Sequence, residues 1–104
     1  MLSGESIDQM RTPQLNEAAQ ADFSRSGKVG YGYGLGVRTL TDGSKSKSPV
    51  GEFGWDGAAG AYALIDPINH VSIFYDQEVL AMMRSYSEIH PTVRDLVYEA
   101  LEAD

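Results

Sequence analysis

There is no cysteine in this chain, so neither a disulfide nor a thiolate metal site is available to it. Long apolar runs are missing too: none approaches the roughly 20 residues that a membrane-spanning helix needs, and no membrane span is expected. Cations are scarce. Lys and Arg number 8 against 15 Asp and Glu, a net charge of −7, and after Asp66 only Arg84 and Arg94 are positive. A nucleic-acid partner is therefore not expected, because phosphates are neutralised by clustered Lys and Arg. The acidic C-terminal part reads as a solvated surface. His70 and His90 stand apart with no ligand-like spacing, so no metal site is expected, and His70, at a strand start, reads as a surface or satisfied histidine and not a catalytic base. The first residues, Met1-Leu2-Ser3-Gly4-Glu5, have neither the basic start nor the apolar core of a signal peptide, and the compartment stays open.

Glycine is what the chain does have. In Gly51-Glu52-Phe53-Gly54-Trp55-Asp56-Gly57-Ala58-Ala59-Gly60 it falls at every third position, around the single tryptophan. Glycine inside a strand marks a bulge or a place where a ligand or another backbone comes close. The run is too short and too poor in proline for collagen. A second run, Tyr31-Gly32-Tyr33-Gly34-Leu35-Gly36-Val37, puts glycines 30, 32, 34 and 36 on one face of a strand and larger side chains on the other. It lacks the Gly-x-Gly-x-x-Gly spacing of a dinucleotide site, and no cofactor is expected.

The remaining pattern predicts one α+β domain over 1–104, which is as much as this length supports. Its antiparallel sheet has three to four strands, about 31–40, 50–58, 60–66 and 70–76, with a short N-terminal helix and C-terminal helices on one face. Ser3 or Ser6 caps the first helix, and Pro13 ends it near Thr12. Residues 14–29 hold at most one weak helix. Asp42 to Pro49 is a polar loop, and Pro67-Ile68-Asn69 is a tight connection between paired strands. Val79, Met82, Met83 and Tyr86 share a helical face, with the methionines in the core and a break at 87–90. Pro91 then opens a last helix whose stripe of Val93, Leu96, Val97, Ala100 and Leu101 covers the sheet.

Phe53-Gly54-Trp55-Asp56-Gly57-Ala58-Ala59-Gly60, followed by Tyr62 and Ile65-Asp66-Pro67, resembles the third motif region of the serine beta-lactamase-like family. That family includes class C beta-lactamases, penicillin-binding carboxypeptidases and related esterases. Its third motif is commonly Lys-Thr-Gly or His-Thr-Gly, with tryptophan first in esterase-like branches, so Trp55, Asp56 and Gly57 take the three positions. The resemblance also takes in Gly-Tyr-Gly-Leu-Gly ahead of the motif and Val97-Tyr98-Glu99-Ala100-Leu101 at the end. It implies the C-terminal third of a serine hydrolase, with an acyl, peptide or beta-lactam-type small molecule as ligand.

By the same resemblance, the backbone N–H of Ala58 would be an oxyanion donor. Trp55 would line the acyl pocket in place of a cation, although it could equally be a core aromatic. Asp56 would place a carboxylate where an anionic substrate is poorly tolerated. The family's nucleophile motif, Ser-x-x-Lys, and its Tyr-x-Asn precede the third motif by more residues than are present here. Ser44-Lys45-Ser46-Lys47 matches Ser-x-x-Lys only as text, in a polar loop, and the asparagines, Asn16 and Asn69, form no Tyr-x-Asn. No catalytic residue is therefore expected, and no Ser-His-Asp triad can be nominated. The chain is expected to be inactive alone. The alternatives are a free-standing ligand- or partner-binding module, or a small enzyme using Ser44. An unpaired strand edge at 70–76 would favour self-association.

Overall fold

The computed structural model describes residues 2–102. Ser3 caps the first helix, α1 (Gly4–Arg11), its hydroxyl accepting from the Ser6 amide at 3.1 Å. Thr12 is already extended, as a residue before proline must be. The polar stretch that follows does hold one helix, α2 (Glu17–Arg25), capped by the Asn16 side chain on the Ala19 amide.

Five strands then build one antiparallel sheet in chain order: β1 (Tyr31–Tyr33), β2 (Arg38–Leu40), β3 (Phe53–Asp56), β4 (Tyr62–Asp66) and β5 (Val71–Tyr75). The α+β class is as expected, but the strands are five, because 31–40 is a hairpin and not one strand. Its chain reverses at Gly34, whose amide donates to the Val37 carbonyl, and at Gly36, whose φ of +88° disfavours a side chain. The strand expected over 50–58 is only Phe53–Asp56, since 57–60 forms a turn.

The bare glycine face of the first hairpin is filled from within the chain. A methyl group on Gly34 would lie 2.1 Å from the Met10 carbonyl oxygen, so the end of α1 lies directly on this backbone. The Thr39 hydroxyl, donating to the Arg11 carbonyl at 2.6 Å, fixes the same approach.

The apolar core lies between β4, β5 and the last helix, α3 (His90–Glu102). Register places Tyr62 opposite Tyr75 and Leu64 opposite Ile73, and Tyr98 of α3 packs on them with Val93 and Val97 at the margin. The expected stripe is only partly right. Leu96 is 57% exposed and Leu101 is also exposed, while His90, Arg94 and Tyr98 are the buried residues of α3. Counting apolar residues misplaces the inner face because these three bury polar heads that find partners across the sheet.

The separate helix and the break expected before α3 are also corrected. Residues 77–82 are irregular, helix begins at Met83, and Ser85–Ile89 forms a π-turn that runs straight into α3. In that turn the His90 amide bonds back to the Ser85 carbonyl, one residue beyond the usual α-helical span. Pro91, which has no amide proton, follows directly. Met82 and Met83 are exposed and not core.

Candidate functional site

β3 carries the residues singled out above, and alternation along a strand sends neighbours to opposite sides. Asp56 turns inward. Its carboxylate lies 3.0 Å from Arg38 Nε and 2.6 Å from His90 Nδ1, and all three side chains are buried. A buried charge must be paired, and here one carboxylate faces two cationic or proton-donating partners. The Arg38 guanidinium is also sandwiched over the rings of Tyr31 and Tyr62, at 5.1 and 4.7 Å, and donates to the Ala63 carbonyl. This is why Gly54 must be glycine: a methyl there would lie 1.9 Å from the Ala63 oxygen and 2.7 Å from Arg38 Nη1. The close approach expected at this strand is made by the chain itself.

A second buried set adjoins the first. The Tyr31 hydroxyl bonds to Glu52, and Arg94 Nη1 donates to the same hydroxyl at 3.0 Å. Burial pushes the Glu52 carboxyl above its usual range, against the pull of Arg38 and the Tyr31 hydrogen bond. Burial likewise pushes the Tyr62 phenol up to about 12. These residues tie β1, β4 and α3 to the segment leading into β3, and they are buried.

The Asp56–His90 pair has the look of two-thirds of a hydrolytic triad, but its geometry rules out that role. His90 Nε2 sits 2.7 Å from the Gly60 carbonyl, so both ring nitrogens face acceptors, and the residue is 0% exposed. A general base needs a free nitrogen within reach of a reacting proton. Sequence reasoning missed this pair because 34 residues separate its members and nothing in their spacing signals a contact.

Beyond Asp56 the chain turns through 57–60, and the C-terminal segment closes on that turn. The Tyr86 hydroxyl donates to the Gly57 carbonyl at 3.0 Å and the Ala58 carbonyl at 3.3 Å. Val79 and Ala81 amides donate to the Ala59 and Ala58 carbonyls, and His90 faces that of Gly60. Gly57 and Gly60 amides are engaged with Ala61 and Gly57 carbonyls. Every carbonyl from 57 to 60 is thus held, while the Ala58 and Ala59 amides donate to no acceptor among the described residues. Peptides here are trans, so each of these amides points opposite to the carbonyl of the residue before it, away from the Tyr86 hydroxyl.

Trp55 turns to the other side and is 41% exposed. Its ring stacks near Phe23 of α2, at 6.5 Å between centroids, and meets Tyr33 edge-on at 5.5 Å. Together with Leu15 and Ala19 these aromatics line a shallow groove of about 460 Å³. Lys28 Nζ lies over the Trp55 ring at 5.1 Å.

No family model and no curated protein matches the chain.

Ser44 is exposed, on a single 3₁₀ turn (Gly43–Lys45). Lys47 of the same text match is drawn away to Glu99, at 3.0 Å. Nothing there orients a hydroxyl towards a base. Among the described residues no cluster of three metal-ligating side chains occurs, and no helix is long and apolar enough to cross a membrane.

Proposed function

We propose that this chain is one wall of an acyl-transfer site of the serine beta-lactamase-like kind, supplying an oxyanion donor and part of an acyl groove but no nucleophile. The observation that carries this reading is the 57–60 turn, whose carbonyls are all restrained while the Ala58 and Ala59 amides are left as donors. Such fixed backbone donors stabilise a tetrahedral oxyanion because they need no reorganisation when charge develops. The Trp55 groove begins three residues earlier, within about 10 Å of extended chain, and offers an apolar surface to an acyl group. The Asp56 carboxylate, expected to repel an anionic substrate, is turned inward and matched by Arg38 and His90, which supports a place for acidic substrates too.

The serine and its base would come from a further segment or a partner chain. Fusing this chain behind the Ser-x-x-Lys and Tyr-x-Asn portion of a family enzyme should give a protein acylated by a fluorescent penicillin or fluorophosphonate. Ala58→Pro, which removes the donor, should then slow acylation by roughly 10²–10³. The chain alone should not hydrolyse nitrocefin or p-nitrophenyl acetate. A folded fusion that is never acylated, or turnover by the lone chain that Ser44→Ala abolishes, would overturn the reading.

A further inference from the structure

Beside α3 lies a cavity of about 430 Å³, lined in part by Tyr86, His90, Pro91 and Arg94. In a chain of net charge −7, four of the 8 Lys and Arg residues line it: Lys28, Arg38, Lys45 and Arg94. Two of these are already neutralised, Arg38 by Asp56 and Arg94 by Asp95. The other two are not. Six of the eight basic residues make ion pairs, and the two that make none among the described residues, Lys28 and Lys45, both stand at this cavity.

Lys28 is held by its side chain and Lys45 by its backbone. Lys28 Nζ lies over the rings of Tyr86, Trp55 and Phe23, at 4.8, 5.1 and 5.8 Å. The backbone of Lys45 is pinned by Arg94 Nη2, which donates to its carbonyl at 3.1 Å. Lys28 is half-buried without an ion-pair partner, and that desolvation lowers its pKa against the distant attraction of Asp56. The remaining wall is largely apolar or aromatic, from Val29, Tyr31, Tyr62, Tyr86 and Pro91, and its one carboxylate, Asp56, is already matched by Arg38 and His90. The volume lies in the range of small-molecule sites, roughly 300–1,000 Å³.

We infer that this cavity binds a small organic anion, its acidic head between Lys28 and Lys45 and a flat apolar body against Tyr86 and Pro91. The complementarity is of charge at the mouth and of aromatic surface within. This site adjoins the proposed acyl wall, since Lys28 lies over Trp55, but it shares no lining residue with the Trp55 groove and stands whether or not that reading does.

The test uses the whole chain, with phenyl phosphate and benzoate as probes and amide spectra by NMR as readout. Saturable shifts are expected at Lys28, Lys45, Tyr86 and Ser87, weakening as salt is raised. Phenol, without the charge, and inorganic phosphate, without the body, should each bind at least about tenfold more weakly, which is about 1.4 kcal/mol. Lys45→Gln, on an exposed residue, and Lys28→Met, which keeps the apolar stem, should each cost about tenfold in affinity. If Lys28→Met fails to fold, Lys45→Gln and the salt dependence decide the matter. Non-saturating shifts with wild type, or equal affinity for phenol, would overturn the inference. So would affinity unchanged by Lys45→Gln and by salt.

Discussion

Asp66 shows how much one side chain settles locally. Its carboxylate accepts from the Ile68 and Asn69 amides at 2.8 and 3.1 Å, from Asn69 Nδ2 at 2.8 Å, and from the Tyr98 hydroxyl at 2.7 Å. The first three close the turn between β4 and β5, and the last ties that turn to α3. Burial alone would raise its pKa, but these hydrogen bonds outweigh it and hold the carboxyl below the usual range. A folded value below the unfolded one, about 3.9, means that the unfolded chain takes up the proton first. The stabilisation is therefore full above that value and is lost as pH falls through the folded one. Asp66→Asn should be less stable at neutral pH and show a flatter acid limb below about pH 4. Identical slopes for the two proteins in acid denaturation would contradict this. The turn was readable in the sequence, since Asp-Pro followed by Asn is turn chemistry. The tie to Tyr98 was not, because it joins residues 32 apart.

At the scale of elements, α3 carries the clearest lesson. Its periodicity correctly marked a helix and a covered sheet face, yet the residues named for the inner face included Leu96, which faces solvent. The inner residues His90, Arg94 and Tyr98 recur at four-residue intervals, but two are charged or polar in type, and an apolar count passes over them. What makes them interior is the set of partners waiting on other elements: Asp56, Gly60, Tyr31, Lys45 and Asp66. No local pattern encodes those partners. Leu96→Ala should accordingly change unfolding free energy by no more than about 0.5 kcal/mol. Tyr98→Ala, which empties a core position, should cost about 3–5 kcal/mol. Urea midpoints would check both, and a Leu96→Ala midpoint as low as that of Tyr98→Ala would refute the assignment of faces. The hairpin within 31–40 was hidden for a different reason. Alternating glycine fits either a continuous strand or a reversal, and only Gly36 at positive φ distinguishes them.

For the whole molecule, strand order leaves β5 as an edge, and Phe74 of that strand is 75% exposed. Such an edge is a template for another strand. Pairing with a second copy about Ile73 would set each Val71 against a Tyr75 and each His70 against an Asp76. The net charge of −7 on each copy opposes this. We expect association only at high protein concentration, seen as a rising sedimentation coefficient and lost in Phe74→Lys, which places a charge on the strand. A wild type that stays monomeric throughout would show that repulsion prevails.

The central claim is that the 57–60 turn presents two free backbone donors to an oxyanion, and amide spectroscopy addresses it most directly. The Lys28→Met, Lys45→Gln double variant, which removes the lysines of the cavity, should be titrated with methylphosphonate as a tetrahedral oxyanion. The Ala58 and Ala59 amide protons should exchange quickly in the free protein and move downfield saturably with the ligand. The Gly57 and Gly60 amides, already bonded to carbonyls, should stay nearly still. Ala58 and Ala59 amides that are protected from exchange in the free protein, or that do not respond to the anion, would contradict the account.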